Sequence, residues 1–284
     1  MSDERGQASP EIGSAQMWDS LASAWDRYGD WHARTTGPLT TAMVDVADVR
    51  AGQQVVEVAC GPTADCCREV ARRLPGQCRV IASDRSPAMV DAARRRVEQD
   101  GADIELRVLD VMALDLADGS VDRIFARWVY MLLDSPAAGL AEARRALRPR
   151  GRLVFAVFGS PEQNPFFILP ATVLIERGLL SPAGEGEPSM FALADGAASV
   201  VESAGLRLLS HREVPIRYGF GSRDELWAFV SEFAGPVSRA IREASESERA
   251  SVRAEVERRA ARYADGSGYS LPGLPLVLVA EPVD

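Results

Sequence analysis

The sequence predicts an α/β protein, a parallel sheet with helices on both faces. Three observations carry this. Short apolar runs recur at residues 54–60, 79–82, 104–109, 121–126 and 153–158, each bounded by Gly, Pro or an acid. Longer stretches of helical period lie between them, and two open on a Ser-Pro pair, with Ser as N-cap and Pro at the first helical position (Ser86-Pro87 and Ser135-Pro136). The chain has 284 residues and is 46% hydrophobic, enough for one sizeable core. Strands alternating with helices in this way form βαβ units, whose parallel sheet is buried on both sides.

The elements follow in order. Residues 11–50 read as helices, with Trp18, Leu21, Ala22, Trp25 and Tyr28 at helical spacing and an aromatic density that suits a lid. The first strand ends at Gly61, and a helix over 64–74 closes on Pro75-Gly76. The second strand ends at Ser83-Asp84, and the next helix runs from Pro87 to about Asp100-Gly101. The third strand ends at Asp110, and the fourth continues into Arg127-Trp128. A helix then ends near Pro149-Arg150-Gly151, ahead of the fifth strand. Residues 161–188, rich in Pro, Gly and apolar side chains with a helix near 166–177, read as an insertion over the carboxyl edge of the sheet. A helix over 195–204, a sixth strand within 206–220, helices over 222–264 with a capping-box spacing at Ser245 and Glu248, and a closing strand over 274–280 complete the chain. The expected organisation is an N-terminal helical lid over 1–50 and an α/β domain over 51–284, with a lid insertion at 161–191 and a helical insertion at 222–264.

Composition excludes several classes. A net charge of −9 argues against a nucleic-acid partner, because phosphate neutralisation needs a basic surplus. All 32 basic residues besides His are Arg, which removes Schiff-base and P-loop lysine chemistry. The four cysteines (Cys60, Cys66, Cys67 and Cys78) form no C-x-x-C pair, so no metal site is expected and free thiols are. No apolar run is long enough to span a membrane, and residues 1–10 are polar and carry acids. The expected location is therefore cytoplasmic, with no membrane partner.

In an open α/β sheet, ligands bind beyond the carboxyl ends of the strands. Three strand ends here carry chemistry. The turn through Gly61 leads into a helix N-terminus, which favours a carboxylate or phosphate. Asp84, at the tip of the second strand, suits ribose hydroxyls. Asp110, at the tip of the third, can accept from an exocyclic amine such as that of adenine. A dinucleotide site would need G-x-G-x-x-G after the first strand, and the sequence has Ala59-Cys60-Gly61-Pro62-Thr63-Ala64 instead.

These stretches resemble class I S-adenosylmethionine (SAM)-dependent methyltransferases. Val55-Val56-Glu57-Val58-Ala59-Cys60-Gly61 is similar to their first motif, and Val80 through Met89, containing Asp84-Arg85, to their second. Val108-Leu109-Asp110-Val111 and Asp118-Gly119-Ser120-Val121-Asp122 resemble the third motif and the approach to strand four, and Leu147 through Leu153 the turn before strand five. The likeness is to bacterial small-molecule enzymes of the ubiquinone/menaquinone-biosynthesis type, a group that Arg127-Trp128 and Asn164-Pro165-Phe166 also resemble. It implies a Rossmann-like, seven-stranded, mostly parallel sheet in the order 3-2-1-4-5-7-6 with an α-helical lid. It implies SAM as cofactor, S-adenosylhomocysteine (SAH) as product and a small-molecule substrate, handled by a monomer or homodimer, in secondary or cofactor metabolism.

The resemblance carries roles to single residues. Glu57 would hold the region near the methionine amine, and Gly61 would let the backbone approach the cofactor. Asp84, with Arg85 beside it, would take the ribose hydroxyls, and Met89 would pack on the adenine. Asp110 would take the adenine amine, with the Val111 N–H on a ring nitrogen. Arg127 would present its backbone near the methionine part. Ala59 and Thr63 stand where the family has glycines, and Thr63 adds a Cβ and a hydroxyl that could bond the carboxylate or reshape the pocket. His32 is the candidate general base and Tyr28 the second, because the N-terminal helices of this group fold over the cofactor. Trp18, Trp31 and Phe166 are the expected substrate contacts. Two rival readings remain: an isomerase or cyclase that keeps the fold and transfers no methyl, and a non-catalytic SAM-binding protein.

Overall fold

The computed structural model describes residues 14–182, 190–233 and 235–283. The start of the expected N-terminal lid and residues 183–189 of the expected 161–191 insertion lie outside them. The main sheet contains β1 (Gln54–Val58), β2 (Arg79–Asp84), β3 (Glu105–Val108), β4 (Val121–Arg127), β5 (Leu147–Phe158), β6 (Leu206–Glu213) and β10 (Pro275–Pro282). Its order is β3-β2-β1-β4-β5-β10-β6. Pairings among β1 to β5 are parallel, and β10 runs antiparallel to both β5 and β6. With β10 as the seventh strand of this sheet, the order is the one the resemblance implied.

The period-2 alternation of β1 explains why the sheet needs two covers. Val55 joins Leu39 and Met43 of α2 (Gly29–Ala47), Val70 of α3 (Asp65–Arg73) and Val97 of α4 (Pro87–Asp100). Val56 and Val58 face the opposite way, onto Leu140 of α5 (Pro136–Ala146) and Val201 of α7 (Ala192–Ser203). Each such side chain, fully buried, contributes roughly 1.5–3 kcal/mol of transfer free energy. This double burial holds the strand ends in one row, and the strand ends carry the acids.

The two Ser caps expected from sequence differ in outcome. Ser86 caps α4 by accepting from the Met89 N–H at 3.2 Å. Ser135 precedes Pro136 but makes no capping hydrogen bond. The charged helix α10 (Glu246–Ala260) opens on the capping box read from Ser245 and Glu248.

The sequence reading differs from the structure in its last third. The stretch over 206–220 is two strands in two sheets: β6 in the main sheet and β7 (Ile216–Phe220) in a second sheet, of order β7-β9-β8, with β9 (Gly268–Gly273) and β8 (Ala264–Asp265). Alternation in β7 places Ile216, Tyr218 and Phe220 on one buried face, a pattern that does not say which sheet it joins. The helical insertion supplies α8 (Arg223–Phe233) and α9 (Pro236–Glu243) before α10, and α6 (Pro165–Glu176) packs against α10 and β9. α1 (Ala15–Arg27) lies along α4. No helix among the described residues is long and apolar enough to cross a membrane.

Candidate active site

The turn after β1 is tightly wound. Ala59, Gly61 and Ala64 all have positive φ, at 51°, 57° and 45°. For an L-residue with a Cβ this left-handed conformation costs on the order of 1 kcal/mol, so the turn keeps at Ala59 and Ala64 a geometry that glycine would adopt without strain. A Cβ built on Gly61 would meet nothing within 4 Å, so open space lies over the centre of the turn.

Asp84 ties this turn to the end of β2. One carboxylate oxygen accepts from the Gly61 N–H and the other from the Ser86 N–H, both at 3.0 Å. Burial raises the Asp84 carboxyl, against the pull of these backbone donors. The Arg85 backbone N–H is a third donor to the same carboxylate, which with about four lone-pair positions still has room for a hydroxyl donor. Next to it, the Leu109 N–H donates to the Asp84 carbonyl at 3.1 Å, so the β3 end follows directly. Asp110 accepts from the Met112 N–H at 2.9 Å and lies 3.3 Å from the Arg85 guanidinium. Met89 and Val111 are buried beside these loops.

Glu57 lies under the turn, fully buried, and accepts from the Cys67 N–H of α3 at 2.8 Å. Burial pushes its carboxyl up to about 7, against the attraction of Arg127. Arg127, at the end of β4, turns its side chain inward to a buried ion pair with Asp65 at 2.6 Å. It also donates to the hydroxyls of Thr36 and Thr40 on α2. Burial alone would raise the Asp65 carboxyl; Arg127 outweighs it and holds the group below its ordinary value.

His32 lies in the same cluster, its ring 5.7 Å from Trp128 and 5.4 Å from Trp25. Burial first, and the Arg127 charge second, hold its pKa down to about 3. It is a neutral imidazole at physiological pH, a hydrogen-bonding group that holds a proton weakly. Tyr28 packs edge-on against Phe229 at 4.9 Å; its hydroxyl is 3.4 Å from Glu232 of α8, and burial together with that carboxylate raises the phenol. Trp31 and Phe166 meet in one aromatic cluster with Tyr218, Phe220 and Phe229, where the Trp31 indole N–H donates to the Gly219 carbonyl at 2.7 Å. Trp18 is placed apart, edge-on to Trp25 at 6.1 Å. The structure thus joins His32 to the strand-4 end and groups Trp31 with Phe166; Tyr28 meets that aromatic cluster through Phe229, and Trp18 is linked to His32 through Trp25.

Thr63 is fully buried, and its methyl would lie 3.3 Å from a Cβ built on Gly29. Its side chain therefore packs toward the α1–α2 junction. A concavity of about 750 Å³ between α2, α3 and the end of α4 is lined by Thr40, Asp65, Arg68 and Asp100 and reaches neither Asp84 nor Asp110.

Residues 55–151 match the family described as a methyltransferase domain. The order of the strands around this stretch is the one that the resemblance to class I, SAM-dependent methyltransferases implied. The chain is 40% identical over 157 residues to an uncharacterized 37.1 kDa protein of transposon TN4556 from Streptomyces fradiae, covering 55% of this chain and 44% of that protein. It is 31% identical over 123 residues to a demethylmenaquinone methyltransferase of Thermus thermophilus, covering 43% of this chain and 55% of that one. The chain thus spans about half the length of the curated relatives it matches. Among solved structures, the cyclase SpnF shares the fold at 15% identity and a TM-score of 0.56, over 94% of this chain and 96% of that one.

Several residues around these strand ends escaped sequence reasoning. Asp65 looks like an ordinary first-turn acid, and only the fold brings it to Arg127. Trp128 adopts φ of 58°, an outlier for a bulky side chain, and stacks on Phe158 at 5.0 Å. Asp19 reaches the start of α4, accepting from the Ser86 hydroxyl and the Ala88 N–H. Arg96 sits third in an arginine triplet, which hides its separate role.

Proposed function

We propose that this protein transfers a methyl group from SAM to a small-molecule acceptor. The observation that carries the reading is Asp84: buried at the tip of β2 and held by the Gly61, Arg85 and Ser86 N–H groups, it still has acceptor capacity beside the open space over the turn. That arrangement fits a ribose diol. Asp110, one strand over, fits the adenine amine, with Met89 and Val111 as its apolar surroundings. Glu57 and the backbone at Arg127 flank the place for the methionine part.

When bound, SAM supplies an electrophilic methyl on a sulfonium, and the protein supplies position and exclusion of water. Trp25, His32, Trp128 and Phe158 form a contiguous ring cluster at the carboxyl ends of β4 and β5, where an acceptor can be aligned for in-line attack. His32, neutral there, orients the acceptor by a hydrogen bond. This favours acceptors that are already nucleophilic, such as an enolate, a phenolate or an electron-rich carbon, over ones that need a strong base. Trp18, Trp31, Phe166 and Tyr28 shape the lid around this cluster. Secondary or cofactor metabolism in the cytoplasm, as a monomer or homodimer, suits an acidic chain whose cysteines are free.

The orientation of Thr63 favours methyl transfer over the cyclase reading. Its side chain fills the contact with Gly29 and leaves the space over Gly61 open. Calorimetric titration with SAM and SAH tests the proposal. Micromolar binding that Asp84→Ala weakens by at least 30-fold is the expected result. Acceptor screening would then give products heavier by one methyl. Absence of SAM and SAH binding refutes the proposal, and products of unchanged mass would establish the cyclase reading instead.

A further inference from the structure

We propose that Arg96 is a positioning residue for cofactor binding: from α4 it joins the end of lid helix α1 to the turn at Pro62, so that lid closure and turn geometry are set together. The inference rests on the cofactor site proposed above. The Arg96 guanidinium donates to the Asp26 carboxylate, to the Asp26 carbonyl at 2.9 Å and to the Pro62 carbonyl at 3.2 Å. Its Nε also lies 3.6 Å from Asp30. A guanidinium, with five donors in a rigid fork, can serve acceptors on two segments from one side chain. The group is largely buried, at 14% side-chain exposure, so these bonds are little screened.

The surroundings are built around this contact. Gly29, at the α1–α2 junction, leaves room for it; a Cβ there would lie 2.5 Å from an Arg96 nitrogen and 3.3 Å from the Thr63 methyl. The Asp26 carbonyl belongs to the last turn of α1, where the Tyr28 N–H also reaches it and the negative end of the helix dipole favours a cation. From α3, Arg68 holds the next carbonyl of the turn, Thr63, at 3.3 Å, and is itself fixed by Asp100 at 2.6 Å. Two successive turn carbonyls are therefore held by two arginines at the place where the family pattern has a free-rotating glycine. At its other end α1 is fastened by Asp19 to the start of α4, two residues from Asp84. One lid helix thus meets both segments of the cofactor site, and Arg96 is its link to the first.

Arg95 provides the control. It contacts the other oxygen of the Asp26 carboxylate at 2.5 Å, while the Pro62 carbonyl is held by Arg96, so loss of Arg95 weakens the lid's anchorage and spares that bond. SAH affinity is measured by calorimetry, and the urea midpoint separately, for the wild type, Arg96→Ala, Arg96→Lys, Arg95→Ala and Asp26→Asn. Arg96→Ala should raise the SAH dissociation constant about tenfold. Arg96→Lys should recover part of the loss, and Arg95→Ala should stay within twofold of wild type even where its urea midpoint falls. Asp26→Asn, which keeps the side-chain shape and removes the charge, should weaken SAH binding in the same direction if Arg96→Ala does not fold. Arg96→Ala or Asp26→Asn within twofold of wild type would overturn the inference, as would equal losses in Arg95→Ala and Arg96→Ala. Wild-type protein that binds no SAH would instead overturn the cofactor site, and this inference with it.

Discussion

Glu57→Gln should make the protein more stable at neutral pH, and the size of the effect follows from the burial of Glu57. Its folded pKa of about 7 stands above the ordinary 4.5. A carboxyl raised on folding contributes stability that is fully present below the unfolded value and lost as pH rises through the folded one. The loss therefore develops between pH 4.5 and 7 and is complete somewhat above 7. A difference of 2.5 units, 7 less 4.5, at about 1.36 kcal/mol per unit, is about 3 kcal/mol. Glutamine carries no charge to desolvate and keeps a carbonyl oxygen for the Cys67 N–H, which now donates at 2.8 Å. Urea unfolding of both proteins from pH 4.5 to 8 measures the difference. The expected result is near-equal stability at the acid end and a lead of about 3 kcal/mol for the variant at pH 8. His32 and Asp84 titrate alike in both proteins, so they cancel. Parallel stability curves for the two proteins would refute the reasoning, because they would mean that Glu57 is charged in the folded state at no cost. SAH titration of the same variant shows what the carboxylate adds to cofactor binding.

Three further expectations concern the same region. Ala59→Gly removes a Cβ from φ of 51° and should stabilise by about 1 kcal/mol or slightly less, read as a raised urea midpoint. Arg127→Met leaves Asp65 buried without its cation and should cost about 3–5 kcal/mol; replacing Asp65 by Leu in the same protein should recover much of that, as the urea midpoints will show. His32, lowered to about 3 from 6.5, contributes stability present above pH 6.5 and lost as pH falls toward 3. His32→Phe should therefore flatten acid unfolding over that window, and an unchanged acid limb would count against a buried neutral imidazole.

The sequence by itself determined the doubly covered, mostly parallel sheet and the positions of the acids at its strand ends. Strand and helix periods are local, and an acid at a strand end is local too, so Glu57, Asp84 and Asp110 were legible as soon as β1, β2 and β3 were. The Gly61 turn was legible for the same reason, although Ala59 in a left-handed conformation was not: its φ is imposed by the bonds around it. Tertiary structure alone decided which way side chains of ordinary identity turn. Thr63 packs toward Gly29 and leaves the turn open. Arg127 turns inward to Asp65, 62 residues away in sequence, and burial first, with the Arg127 charge second, keeps His32 neutral. Tyr28 goes to Glu232 and Arg96 to Pro62, across separations of 204 and 34 residues. The second sheet escaped for a related reason, since the alternation of β7 fixes a buried face and leaves the partner strand open. Period and propensity act over a few residues, whereas burial, charge pairing and carbonyl satisfaction act between segments that only folding brings together.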